Sequence, residues 1–187
     1  IQSFGVRAQV FGWAGLALVL CCLEFRSRLM WAAVPITVIW ANLHASVLLA
    51  PVVCAMYALG ALIEGRAFTA DVRRYGLLAV ACAVAVCATP LGLELPRYAI
   101  ALMQSPIRQW IAEWGHTEIG SAAFAVGALP LLLIFAVRGG RATITDRLAI
   151  VTFAILLFSA LRYVPVFAIV VAPIAAIAGL ALITGLI

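Results

Sequence analysis

From Leu29 to Ile63 the chain runs for 35 residues without an Asp, Glu, Lys or Arg. As a single helix this run would be about 52 Å long at a rise of 1.5 Å per residue, whereas the hydrocarbon core of a bilayer is about 30 Å thick. It is too long for one span and too apolar for water, so it predicts a chain that folds back on itself in lipid. The only polar cluster in the run is Trp40-Ala41-Asn42-Leu43-His44-Ala45-Ser46. That cluster marks the reversal and divides the run into spans at 29–40 and 46–63, a helical hairpin. Pro35 and Pro51 fall inside the two pieces, where neighbouring helices can satisfy a freed carbonyl.

The rest of the chain extends the pattern. It has 187 residues, 67% hydrophobic and 10% charged, against about 45–50% and about 25% in an ordinary soluble domain. The gaps between charges give further spans at 8–23, 75–93, 119–137 and 148–161, and a last one running to Ile187. Long apolar runs are unlike the short alternating strands of a membrane β-barrel. The expectation is therefore all-α: a polytopic transmembrane helix bundle of about seven spans, one domain over residues 1–187. Ala81, Ala85 and Ala88 fall on one face of the fourth span, as close helix packing in lipid favours. The chain opens at Ile1 without a Met or a visible signal peptide, and reads as a C-terminal part of something longer.

All 12 basic residues are Arg. With a hairpin at 29–63, the loops 24–28, 64–74 and 138–147 share one side and carry Arg26, Arg28, Arg66, Arg73, Arg74, Arg138, Arg141 and Arg147. The other side holds Arg7, Arg97, Arg108 and Arg162. Basic loops stay in the cytoplasm, so the segregation both favours the hairpin and orients the protein in a plasma membrane. The same placement accounts for the net charge of +5 without nucleic acid. Cys21, Cys22, Cys54, Cys82 and Cys87 all sit in apolar runs, where Cys acts as a small hydrophobe, and no spacing suggests a disulfide framework or zinc site.

On the extracytoplasmic side the topology collects Arg7, Asn42, His44, the loop 94–118 and Arg162. That loop contains Arg97, Arg108, Trp110, Glu113, Trp114, His116 and Glu118. Polar residues at membrane depth are costly and so are candidates for function. Asn42 and His44 either shape a polar floor for a lipid-phosphate or sugar site or satisfy backbone groups at a tight turn. Arg162 either grips a phosphate with its planar fork or snorkels to lipid headgroups; the same two readings apply to Arg7, Arg97 and Arg108. Glu113 and His116, three residues apart, would share a helix face and are the acid/base candidates, with a solvated loop pair as the plainer reading. Together with His44 they do not have the spacing of a metal motif. No phosphate-binding Gly-rich loop or nucleophile elbow is present, no cofactor is implied, and no line of intramembrane charge suggests a pump.

Five segments, Arg7-Ala8-Gln9, the cluster 40–46, Thr89-Pro90-Leu91-Gly92, Ile111-Ala112-Glu113-Trp114 and Arg162-Tyr163-Val164-Pro165, occur in an order that covers nearly the whole chain. They resemble the Arg-Pro-Gln, Trp-x-Asn-x-His-Gly-Gly, Asn-Pro-x-Gly, Ile-x-Glu-Trp and Arg-x-x-Pro segments of a group of bacterial polytopic membrane proteins. That group is in turn similar to the GT-C membrane glycosyltransferases, which include the protein mannosyltransferases. The resemblance implies transfer of a sugar from a polyprenyl-phosphate donor on the extracytoplasmic face of the inner membrane. It implies phosphate contact by Arg7, Arg97, Arg108 and Arg162, a pocket shaped by Asn42 and His44, and acid/base roles for Glu113 and His116.

The departures matter. Ala8 stands in place of Pro, and Ala45-Ser46 in place of Gly-Gly, where added Cβ atoms would hinder close approach or a positive φ. The catalytic Asp of the class would precede Ile1, leaving Glu113 as a substitute. The competing expectation is a non-enzymatic membrane subunit that packs against partner helices. A lipid or solute transporter is a third reading, without intramembrane charges to support it.

Overall fold

The computed structural model describes residues 8–24, 28–65, 69–106, 110, 111, 114, 115, 121, 124, 127 and 143–184. Their regular structure is entirely helical, with no strand among them. The helices are α1 (Gln9–Glu24), α2 (Ala33–Ala41), α3 (Leu49–Ile63), α4 (Ala70–Ala85), α5 (Glu94–Gln104), α6 (Ile144–Ser159) and α7 (Val164–Thr184), with 3-10 segments at Arg28–Ala32, Ala45–Leu48 and Leu161–Tyr163. The all-α expectation holds. The chain divides into two compact units, Ile1–Ser105 and Pro106–Ile187.

Two stretches, Ala45–Ile63 and Leu161–Leu180, are long and apolar enough to cross a membrane. Gln9–Glu24 and Arg28–Ala41 are apolar but shorter; the 16 residues of α1 reach about 24 Å. Two helices of spanning length and composition, rather than about seven, are therefore present among the described residues. The expected span 119–137 lies outside them except at 121, 124 and 127.

The reversal falls where the polar cluster predicts. α2 ends at Ala41, and Asn42, Leu43 and His44 turn the chain into the 3-10 segment that leads to α3. Contacts to the other helices give the directions. Thr37 meets Cys82 and Asn42 meets Ala88, so α2 and α4 run parallel. Cys54 meets Cys82 and Tyr57 stacks near Tyr75, so α3 runs against α4. Gly12 faces His44, Gly15 faces Trp40, and the Tyr75 hydroxyl reaches the Leu23 carbonyl, so α1 runs with α3. Although α2 and α3 point in opposite directions, each packs chiefly on α1 and α4. The hairpin is opened, with α4 packed on both of its arms.

Helix ends depart from the charge-gap expectation in a consistent way. α4 begins at Ala70 and stops at Ala85, with turns over residues 86–93, instead of spanning 75–93. α6 begins at Ile144, not 148, because Thr143 caps it: its hydroxyl accepts from Asp146 N at 3.1 Å while Asp146 Oδ2 accepts from Thr143 N at 3.0 Å. Charges near a helix start are inside the helix, where a carboxylate meets the exposed N–H groups of the first turn. Pro35, Pro51, Pro96 and Pro165 occupy first turns as well, where the missing N–H costs little. Pro173 alone among the described prolines sits deep within a helix.

The helices are apolar on both faces. On α4 the buried stripe is Tyr75, Leu78, Cys82 and Ala85, a 3.6-residue periodicity turned toward α2 and α3. Of the expected alanine face only Ala85 is buried; Ala81 is half-buried and Ala88 lies exposed beyond the helix, so Tyr75, Leu78 and Cys82 form most of the packing seam. The opposite face presents Leu77, Val80 and Val84, the last two 63% and 69% exposed. α6 does the same with Val151 and Ile155 outside and Ile150, Phe153 and Leu157 inside. A surface helix in water carries a polar outer face; these do not.

Two glycines show opposite requirements. A Cβ on Gly15 would lie 2.7 Å from Trp40 Cγ, in a ring that is 2% exposed, whereas a Cβ on Gly76 meets nothing within 4 Å. Gly15→Ala is expected to destabilise by about 1–3 kcal/mol through overpacking. Gly76→Ala should stabilise α4 by about 0.5–1 kcal/mol. Thermal unfolding midpoints in mild detergent should move in opposite directions.

Candidate functional site

Within the first unit, the turn after α2 is closed by its own side chains. His44, extended at φ −159°, caps the 3-10 segment by accepting Ser46 N at Nδ1, 3.1 Å away. Because Nδ1 accepts a backbone N–H, the neutral ring carries its proton on Nε2. Ser46 Oγ stands 2.7 Å from the same Nδ1 and receives the Trp40 indole N–H at 3.3 Å. Asn42 Nδ2 donates to the Val38 carbonyl at 2.8 Å and to the Ala88 carbonyl at 3.0 Å. It thereby ties the end of α2 to the turn that follows α4.

The segments 40–46 and 89–92 thus come together at one end of this unit. Gly92 adopts φ +52°, a left-handed turn that suits glycine, and Thr89 Oγ1 accepts from Leu91 N at 3.1 Å. Ala45-Ser46 does not obstruct the turn. Among the described residues the only glycines with positive φ are Gly65 and Gly92, and the close approach is provided from the other side. A Cβ on Gly12 of α1 would overlap Ser46 Oγ and come within 3.2 Å of His44 Nδ1. Gly12, unremarked in the sequence, is therefore part of this turn; its signal was its spacing of three residues from Gly15, which puts both glycines on one face of α1.

α5 packs on the 45–48 segment at the same end. It is a helix where a polar connection was expected, with Leu95 buried and Tyr98, Ile100 and Met103 exposed. Arg97 is on its exposed side and pairs with Glu94 at 2.6 Å. Exposed pairs of this kind contribute little to stability, but the carboxylate occupies the guanidinium.

In the second unit the break between α6 and α7 presents Arg162. Ala160 is extended (φ −163°, ψ 140°), and Leu161 N donates to the Gly115 carbonyl at 2.9 Å. Arg162 Cζ stands 4.1 Å over the Trp114 ring, and Tyr163 meets Trp114 edge-on at 6.5 Å between centroids. The segments ending at Trp114 and starting at Arg162 are therefore joined in space. The guanidinium makes no hydrogen bond or ion pair with the described residues. The cation–π contact holds the guanidinium beside the ring without using its N–H donors.

Comparison with protein-family models, with curated proteins and with solved structures finds no match. Of the residues expected at a site, Asn42, His44 and Arg97 gather at one end of the first unit, and Arg162 stands on Trp114 in the second. Arg7, Arg108, Glu113 and His116 lie outside the described residues. No cluster of His, Cys, Asp or Glu among the described residues can hold a metal ion.

Ser46 links the turn to the buried indole. Ser46→Ala should cost about 1–3 kcal/mol by stranding the Trp40 N–H. In a Trp40→Phe background, which has no N–H to strand, the same change should cost at least about 0.5 kcal/mol less. A double-mutant cycle read by denaturant unfolding in detergent measures the difference.

Proposed function

We propose that this chain is a multi-pass plasma-membrane protein whose Arg162 region receives an anionic phosphate of a lipid carrier, in the manner of a GT-C-like glycosyltransferase or the membrane portion of one. The observation that carries this reading is the Arg162 guanidinium, standing over Trp114 with its donors unengaged by the described residues. A planar fork whose donors no described residue takes up suits phosphate oxygens bidentately. The apolar outer faces of α4 and α6 support lipid as the surrounding medium, and the two long apolar stretches support spanning.

Orientation follows from the charges. In the first unit, Arg28, Arg73 and Arg74 lie at the end opposite the 42–48 turn, where Arg97 is paired with Glu94. On the positive-inside rule the arginine-rich end is cytoplasmic, which puts the turn and α5 on the outer face. α5, with Tyr98, Ile100 and Met103 exposed beside Arg97, suits the headgroup boundary. The sugar transferred, the acceptor and the acid/base roles of Glu113 and His116 belong to the same proposal and rest on the resemblance.

A second reading, a non-enzymatic subunit that packs against partner helices, is favoured by a specific observation. Asn42 and His44 are engaged in hydrogen bonds that build the turn, the behaviour of scaffolding rather than of a pocket floor.

The two readings part on lipid-phosphate binding. In the full-length protein, Arg162→Ala should weaken binding of polyprenyl phosphate about 10- to 100-fold, the equivalent of one charge-assisted hydrogen-bonded contact of about 1.5–3 kcal/mol. Arg162→Lys should recover part of it, lacking the fork. Unchanged binding and unchanged sugar transfer in Arg162→Ala would remove the transferase reading and leave the subunit.

A further inference from the structure

The centre of the first unit holds two thiols that neither reading of the function uses. Cys54 on α3 and Cys82 on α4 are both fully buried, at 0% exposure, and their Sγ atoms are 4.0 Å apart across the α3–α4 contact. Thr37 on α2 completes the surroundings: its hydroxyl donates to the Ala33 carbonyl at 2.7 Å and approaches Cys82 Sγ at 3.5 Å. Thr37 is the one fully buried polar residue among those described. Two small hydrophobes at a seam would not need their sulfurs turned toward one another. Here they are, on the most extensive helix–helix contact among the described residues.

We propose that Cys54 and Cys82 are an oxidisable dithiol, a modification site that joins α3 to α4 as a disulfide under attack by an apolar hydroperoxide such as those formed on lipid chains. One thiol sulfur attacks the terminal peroxide oxygen, breaking the O–O bond. This gives a sulfenic acid and releases the alcohol of the hydroperoxide. The second sulfur then attacks the sulfenic sulfur, forming the S–S bond and releasing water. Two thiols and one hydroperoxide thus become one disulfide, one alcohol and one water. The sulfurs must close from 4.0 Å to about 2.05 Å, between helices already in contact. At 0% exposure the pair is closed to every reagent in the packed state, so oxidation proceeds through brief openings of the α3–α4 seam, where an apolar hydroperoxide is the oxidant that lipid concentrates. Thr37 loses its sulfur contact in the process, while its bond to Ala33 is unaffected.

The effect is mechanical. A bond between the middles of α3 and α4 stops either helix from sliding along the other, while α2 keeps its place on α4. Oxidation should therefore raise the unfolding midpoint of the folded protein, and reduction should return it.

The test uses the full chain in mild detergent with Cys21, Cys22 and Cys87 replaced by Ala, so that only the two thiols remain. The protein is treated with cumene hydroperoxide, the remaining thiols are alkylated, and it is digested without reductant. The expected result is a peptide pair linked through Cys54 and Cys82 by mass spectrometry, released by a phosphine reductant, together with a higher unfolding midpoint before reduction. Cys54→Ala and Cys82→Ser should each abolish the link, and whichever of them retains its helical spectrum serves as the control. Helical protein whose two thiols are both alkylated after denaturation, with no linked peptide, would overturn the proposal. So would oxidation of either sulfur to the sulfinic acid without a link, or a link that forms only once the protein is unfolded.

Discussion

Where an apolar chain reverses, its own backbone amides and carbonyls must find partners, because neither lipid nor a packed core supplies them. The turn after α2 meets that demand with side chains on four neighbouring positions. His44 takes the Ser46 amide, Ser46 takes the Trp40 indole, and Asn42 reaches two carbonyls. Once these bonds exist, Trp40 is fixed, α1 can close on it only through Gly12 and Gly15, and α4 is anchored at Ala88. The arrangement of the first unit follows from the closure of one turn.

Much of this was legible in residue types. A run of 35 uncharged residues had to reverse, and its one polar cluster was where it did. What did not transfer was the boundary rule. Counting gaps between charges assumes that charges sit in loops, but Asp146 is part of the capping box of α6, and Asp71, Arg73 and Arg74 belong to the first turns of α4. The error is therefore systematic, moving each of these helix starts toward its N-terminus. The packing face of α4 was misjudged for a related reason. Small residues permit close contact, but permission does not determine which face makes it, and Tyr75, Leu78 and Cys82 fill the seam more fully than Ala81 and Ala88 would.

Where the resembling segment has a glycine pair this chain has Ala45-Ser46, and a β-carbon hinders close approach. In the structure the close approach at this turn is provided by Gly12 on the facing helix, and the Ser46 side chain does the hydrogen bonding. Such a contact is invisible in one segment and plain in two. The pairing of Trp114 with Arg162 was not readable from spacing at all, because 47 intervening positions carry no periodic signal linking them.

The arginines divide by what they already hold. Arg97 spends its guanidinium on Glu94 three residues away on the same helix, a local bond that any solvated helix can make. Arg162 stands over an aromatic face, which stabilises the cation yet accepts no N–H. Among the described residues no carboxylate neutralises it. That difference, and not the number of arginines on a face, separates a surface charge from a place where an anion can be gripped. On the proposed reading it favours Arg162 over Arg97 as the contact for a lipid-borne phosphate.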